Sequence, residues 1–551
     1  MRISFRAIRH TDDESRKMVS TLHRYIFREL LRVFALTVVA LTLIMSLGSI
    51  LQPVQEYGVG PRQVIHLMGY FLPITLTFVL PMGALFAGAL VYGRLTSDNE
   101  LDACRASGIS LLTLVYPGLA LAIIVAIANL LLSFHVMPAF VHLAEKSLKA
   151  NVKQILFRNI QRKRYYELPP DGRYLIYADQ TNAQNDALSG VVVVEVKGSG
   201  IKDITTTESA KVSIKLADKF NEVQIIAYRA HQMGAEDEGG AEWLSLTTEF
   251  GSLLGDDIKF KKIGEMKKIQ ADLMQFYPIA KLARDTYAQL VAELLAQDIA
   301  TKIAGDPNNF YTMHSGEKFV KFTARQCIAR DEEEVELSDD VVVIEYDTDS
   351  KRPLRTLRCA RASLHIEGDK LAPTLTMDIY NARVEGSEEL IMRHIVRGLI
   401  PPIAVEAIAN KFKTEKNGSL SLMVEKLASE PTGLQRSPQL TKLQNALQRK
   451  IRKTLVQIKA ETHSRLVFGI GCVSMIMIGI GLGIIKKGGH LLSAFGASCV
   501  PAAVLIVCIM SGKHITENLG AQSISGIALM WGGLVFLSLL AVVIYSRLLK
   551  H

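Results

Sequence analysis

The sequence predicts an α-helical membrane protein of six transmembrane helices, three and three. Between the two groups lies an extracytoplasmic, jelly-roll-like β region, read as two tandem β modules. Three observations predict this. Of the 551 residues, 49% are hydrophobic and only 21% charged, less charge than a soluble chain usually carries. The apolar residues are clustered: runs without Asp, Glu, Lys or Arg cover 33–55, 63–93, 106–144, 466–485, 488–512 and 518–546. Each is long enough to cross a bilayer core as a helix of about 20 residues. Between them, 141–464 has soluble composition with short β-branched runs separated by polar and Gly-containing turns. A wholly soluble enzyme, a disordered chain and a disulfide-framework miniprotein are thereby excluded.

The first element, 1–32, is basic: Arg2, Arg6, Arg9, Arg16, Lys17, Arg24, Arg28 and Arg32 face four acidic residues. Cations before a first span report topology, placing this segment in the cytoplasm; specific anionic-lipid binding is the other reading. The net charge of +9 therefore does not call for a nucleic-acid partner. The first apolar run starts at residue 33 with no small-residue cleavage site after it, so it reads as an uncleaved anchor. Spans one to three occupy 33–140. The connection after span one has Arg62 as its one basic residue, whereas the connections after spans two and four carry Arg94 and Arg105, and Lys486 and Lys487. Both termini then lie in the cytoplasm and 141–464 lies outside it.

Within 141–464, Tyr174-Leu-Ile-Tyr-Ala178, Val191-Val-Val-Val-Glu-Val196 and Val223-Gln-Ile-Ile-Ala-Tyr228 read as strands. Gly190–Val196 resembles Asp340–Tyr346, and Thr207–Ile214 resembles Leu357–Leu364, both 150 residues on; Ala227–Ala230 resembles Ile379–Ala382, 152 residues on. This order-preserving repeat predicts a β module at about 155–265, a helical connector at 268–300, a second β module at about 310–398 and a helical return at 400–464. Spans four to six follow at 465–548. Cys327 and Cys359 have the right compartment to pair, though no CxxC motif occurs and nothing in the sequence requires it.

No catalytic pattern appears. There is no GxxxxGK[ST] phosphate loop, HExxH or GxSxG, and no acidic residue lies within a span, which disfavours a proton-coupled carrier. No metal site or cofactor is expected. The informative stretch is Gly93–Gly108. Ser97-Asp98-Asn99-Glu100 reads as a capping box and Gly108 suits a left-handed helix end, predicting a helix over 97–107. It is either a linker on the headgroups or a coupling helix docking into a motor protein, with Arg94, Ser97, Glu100, Leu101 and Arg105 as the candidate contacts. After span three, Lys146 and Lys149 share a helix face by i, i+3 spacing; they either snorkel or meet lipid phosphates. Gly479 and Gly483 form a small-xxx-small pattern in span four.

Four features together resemble the lipopolysaccharide export permeases of the LptF/LptG type. They are Arg24-Tyr-Ile-Phe-Arg-Glu29; Leu80-Pro-Met-Gly-Ala-Leu85 with Gly93-Arg-Leu95, Ser97-Asp-Asn-Glu-Leu101 and Ala106-Ser-Gly108; Glu461-Thr-His-Ser-Arg-Leu466 with Gly481-Leu-Gly-Ile484; and the three-plus-three layout. The resemblance implies a non-enzymatic inner-membrane subunit that pairs with a second homologous permease, or with itself. It implies a cytoplasmic ABC ATPase dimer contacted by Glu100, lipopolysaccharide or a related glycolipid as cargo, and a periplasmic β-jelly-roll bridge protein as acceptor. Lys146, Lys149 and Arg62 are then the candidates facing glycolipid phosphates, and the apolar interior of the β module would take acyl chains. Relatives usually have one β domain, where this chain reads as two. The other class of function consistent with the residues is a non-transport membrane protein whose β region is a sensor or assembly platform.

Overall fold

A computed structural model describes residues 3–57, 61–150, 152–167, 174–182, 185–197, 200–215, 221–234, 238–250, 256–303, 309–315, 318–330, 334–347, 352–369, 371–386, 390–402, 405, 410–411, 421–429, 437–485, 491–518 and 523–550. The chain divides into two compact units: Met1–Met266 with Leu455–His551, and Lys267–Thr454. Among the described residues, six helices are long and apolar enough to cross a membrane, within Val19–Ser46, Gly69–Ser97, Leu111–Lys149, Pro438–Ile485, Cys499–Asn518 and Ile524–Lys550.

In the first unit, α1 (Ile3–Tyr57), α2 (Pro61–Ser97), the short α3 (Glu100–Ala106), α4 (Leu111–Leu131), α5 (Met137–Ala150) and α6 (Val152–Lys163) follow one another. A π-helical turn, Leu132–Val136, joins α4 to α5. Later in the chain come α7 (Ile263–Ala271), α8 (Tyr277–Ile303), α9 (Ser421–Ser429), α10 (Pro438–Ile485), α11 (Leu491–Asn518) and α12 (Ser523–Lys550). The helical core of this unit includes Leu30, Leu85, Tyr92, Leu114, Leu121, Ile476, Ile480 and Leu537. Small residues let α2 and α10 approach backbone to backbone, since lipid offers no hydrophobic drive between helices and close packing must serve instead. A Cβ at Gly483 would stand 2.6 Å from the Ala89 carbonyl, and one at Gly479 2.9 Å from that of Leu85. By contrast, α1 leaves Leu36, Val39, Leu43 and Ile44 exposed, as expected of a helix bordering lipid or another chain.

Six strands of this unit, β1 (Tyr165–Glu167), β2 (Tyr174–Asn182), β3 (Ala187–Lys197), β4 (Gly200–Lys215), β5 (Asn221–Gly234) and β6 (Glu238–Phe250), form one antiparallel sheet in sequence order. Alternation aims Ile176, Ala178, Val191, Val193, Val223 and Ile225 at one face, where Ala144 and Leu148 of α5 and Leu156, Phe157 and Ile160 of α6 cover them. The strands begin at Tyr165 rather than near 155, because the apolar residues of 152–163 repeat at helical spacing.

In the second unit, β7 (Tyr311–His314), β8 (Lys318–Thr323), β9 (Gln326–Ala329), β10 (Glu334–Asp347), β11 (Pro353–Asp369), β12 (Ala372–Val384) and β13 (Leu390–Leu399) form a second sheet, ordered β13-β12-β11-β10-β8-β7 with β9 also on β10. Its two edges meet: the N–H of Ile400 donates to the carbonyl of His314 at 2.9 Å, so the sheet curls onto itself. On its apolar side Tyr311 donates to Asp298 of α8. From Thr286 to Ala296 every residue of α8 is buried, so this helix is surrounded rather than amphipathic. Glu345 is 2% exposed and is held by His394 at 2.5 Å and Arg355 at 3.2 Å. Cys327 and Cys359 are free thiols; burial pushes them up to about 12 and about 11.

The two sheets share more than strand order. Left-handed residues interrupt equivalent strands: Gly190 (φ 60) matches Asp340 (φ 58), and Arg229 (φ 54) matches Asn381 (φ 50). Around them burial repeats, with Val191 and Val193 answering to Val341 and Val343, and Ala210 and Val212 to Ala362 and Leu364. For β4 and β11 the structural match is thus 152 residues, not 150. A second left-handed residue, Asp339 (φ 62), lengthens the kink in β10.

Candidate functional site: the α2–α4 connection and the charged cluster of α10

Residues 97–107 do not form one capped helix. Ser97 ends α2, and α3 spans only Glu100–Ala106, without a side-chain cap at its start. The reason is local. Leu95 and Thr96 are buried, and the Thr96 hydroxyl donates to the Tyr92 carbonyl at 2.8 Å, which holds α2 in register to its last turn. The chain then reverses at Asn99, whose φ of 57 is a left-handed conformation that Asn tolerates. At the far end Gly108 takes φ +89. There the N–H of Gly108 donates to Arg105 and that of Ile109 to Cys104, closing the helix with the motif expected of a glycine C′ residue.

Leu101 is 3% exposed and plugs α3 into the helical core. That burial substitutes for the stability a seven-residue helix lacks in water. With Leu101 inward, Glu100, Ala103, Arg105 and Ala106 face outward, and neither the Glu100 nor the Arg105 side chain has a hydrogen-bond or ionic partner among the described residues. Arg94 behaves differently. It reaches Glu29 of α1 at 3.1 Å, and Glu29 also accepts from Arg32 at 3.3 Å. Arg94 therefore braces two spans at this end, while Glu100 and Arg105 form the free surface.

The candidate lipid-facing residues are elsewhere. Lys146 and Lys149 lie on α5, but Lys149 is engaged by Glu145 at 3.1 Å, leaving Lys146 as the exposed cation of the two. Arg62 is the second residue of α2, and its side chain lies outside the described residues.

A charged cluster that sequence reasoning missed lies on α10. Arg465, 5% exposed, donates to Glu461 at 2.9 Å, to the Ser133 carbonyl at 3.0 Å, and to the carbonyls of Lys259 and Lys261 at 2.7 and 3.3 Å. Its guanidinium also lies over Phe134. Lys513 of α11 approaches the other oxygen of Glu461 at 2.5 Å. The π turn that includes Ser133 widens the helix, and such turns release carbonyls from the regular ladder. The available signal was Glu461 and Arg465 at i, i+4 immediately before an apolar run; charges there satisfy one another or a bent neighbour. Nearby, Glu265 is held by His142 at 3.0 Å and by the Lys262 N–H at 2.9 Å. Burial pushes the Glu265 carboxyl up, but these two partners and Lys261 outweigh it and hold it at about 2. Among the described residues no group of His, Cys, Asp and Glu is arranged to hold a metal ion.

A search of curated proteins finds no match to the chain. A family model described as the lipopolysaccharide export system permease LptF/LptG matches residues 24–237 and 302–547. The match takes in all six apolar helices and most strands of both sheets, leaving β6, α7 and nearly all of α8 outside it. With six apolar helices, two antiparallel sheets and a family match over most of its length, the chain belongs to the LptF/LptG family of lipopolysaccharide export permeases.

Proposed function

We propose that this chain is the membrane subunit of an ATP-driven exporter that draws lipopolysaccharide, or a related glycolipid, out of the inner membrane and passes it to a periplasmic β-jelly-roll bridge protein. In this reading both termini and α3 are cytoplasmic, and the two sheets are periplasmic. ATP hydrolysis belongs to a separate ABC ATPase dimer, and the permease works beside a second homologous permease or a second copy of itself. The observation that carries the reading is α3. It is fastened to the bundle by Leu101 yet shows Glu100 and Arg105 unpaired, as suits a lever that receives force from a partner. Arg94 and Ser97 support it, the first by bracing α1, the second by ending α2.

The test is glycolipid export in cells carrying Glu100→Ala. Expected is loss of export with unchanged membrane insertion and unchanged co-purification of the paired permease, and with ATPase binding or its stimulation reduced. Normal export by that variant would refute the assignment.

A further inference from the structure

One side of α1 changes chemistry where its apolar run begins. At about 100° per residue, Arg24, Arg28, Arg32, Leu36, Val39 and Leu43 fall within one arc of about 120°, and all six are exposed. The opposite side carries Ile26 and Leu30, buried in the helical core with Leu22, Phe27, Val33 and Phe34 packed against it. Near the far end of the arc Thr42 and Ser46 are buried. The open apolar stretch from Val33 to Leu43 is therefore about 15 Å deep, one leaflet of a core of about 30 Å.

The arginines stand just outside that stretch. Arg28 is about 8 Å and Arg24 about 14 Å along the axis from Val33. The headgroup layer is about 5–8 Å thick, and arginine stems bend back toward it from helix ends. Arg32 shares Glu29 with Arg94, at 3.3 and 3.1 Å. The Arg24 and Arg28 side chains have no hydrogen-bond or ionic partner among the described residues. An apolar helix seated on Leu36, Val39 and Leu43 would leave these two without a counter-charge. A phospholipid brings an acyl chain and a phosphate in one molecule, in the order that the arc presents its apolar and basic halves.

We infer that this side of α1 is a binding site for an anionic phospholipid of the leaflet at its N-terminal end. Its phosphate meets Arg28 and Arg24, and its acyl chains lie along Leu36, Val39 and Leu43. The inference needs only that α1 spans the membrane, so it stands or falls apart from the export reading.

The experiment uses the full chain in its native membranes with its partners present. The photoreactive residue p-benzoylphenylalanine is placed at Leu36, and in a separate strain at Ile124, on the exposed side of α4, a helix without charged residues. Captured material is identified by mass spectrometry. Expected is enrichment of phosphatidylglycerol and cardiolipin at Leu36 over Ile124 by about fivefold or more, the scale of one or two arginines beside anionic lipid. Arg24→Gln with Arg28→Gln should bring Leu36 to the ratio found at Ile124, while Arg24→Lys with Arg28→Lys should keep most of the enrichment. Both pairs leave Arg32, Glu29 and Arg94 in place, and their membrane recovery and unfolding midpoint should match the parent. Equal ratios at Leu36 and Ile124 in the parent would overturn the inference, as would enrichment that survives the Gln pair. Capture of another protein chain at Leu36, or of the glycolipid cargo there, would overturn it too.

Discussion

Arg465 and Glu461, one turn apart on α10, meet at 2.9 Å in a site where Arg465 also reaches the Ser133, Lys259 and Lys261 carbonyls. One guanidinium thus joins the π turn after α4, the segment leading out of the first sheet, and the start of an apolar helix. Arg465→Met removes the charge that Glu461 shares with Lys513 and leaves three carbonyls without a donor. Breaking a buried pair from one side costs about 3 kcal/mol or more. Thermal unfolding of the detergent-solubilised chain should show a clear fall in midpoint for Arg465→Met. Arg465→Lys should recover only part of it, because one ammonium cannot span the same four acceptors.

The approach of α10 to α2 gives a second expectation. At Gly483 an added Cβ would lie 2.6 Å from a backbone oxygen and 3.1 Å from the Gly93 nitrogen, neither of which can swing aside. Gly483→Ala should cost about 1–3 kcal/mol, the range for overpacking, and Gly483→Val should abolish recovery of monodisperse protein in size-exclusion chromatography. Gly532, with open space around it, serves as the comparison, and Gly532→Ala should be recovered like the parent.

The pairing of His142 with Glu265 sets a pH dependence. The folded carboxyl sits at about 2, below its ordinary value of 4.5. Its contribution is therefore complete above the ordinary value and is lost as the pH falls toward about 2. Because Glu265 is about a third exposed, solvent screening reduces the contribution to about 1 kcal/mol. Unfolding midpoints measured between pH 6 and 2.5 should fall more for the parent than for Glu265→Gln; parallel curves would show that the pair adds nothing.

The matched kinks of the two sheets make a fourth test. Asn381 holds φ 50 in β12, where Arg229 holds φ 54 in β5. A β-branched residue is poorly accommodated there. Asn381→Val and Arg229→Val should each cost about 1–2 kcal/mol, and the corresponding Gly variants should match or exceed the parent in midpoint. Equal midpoints for Val and Gly would mean that the kinks relax freely.

Much of this architecture was legible because hydrophobic clustering and strand alternation are local signals. The six apolar runs mark the spans, Val191–Val196 and Val341–Ile344 mark two central strands, and the repeat predicted two sheets that the structure contains. Failures came where tertiary contacts overrule local preference. Ser97 looks like a helix cap, but buried Leu95 and Thr96 carry α2 through it. Lys149 looks free beside Lys146 until Glu145, four residues before it, folds back on it. The four-acceptor role of Arg465 depends on a carbonyl 332 residues away in sequence, a relationship no spacing rule reports. The free surface of α3 was half legible: Glu100 and Arg105 could be named, whereas the bracing of Arg94 by Glu29 depends on how α1 and α2 cross.

The surrounded helix α8 has a consequence for biogenesis. Lys267–Thr454 is one uninterrupted stretch, whereas the other unit is assembled from a piece before it and a piece after it. A growing chain therefore exposes the whole inserted unit before Leu455 has been made. Because α8 already occupies the apolar side of its sheet, that unit can bury its hydrophobic residues without waiting for the last three helices. The earlier unit has no such independence, since Leu85, Ala89 and Ser133 must stay unpaired with α10 until synthesis reaches it. A chain stopped at Thr454 thus has three helices without their partners and an inserted unit whose own core is complete.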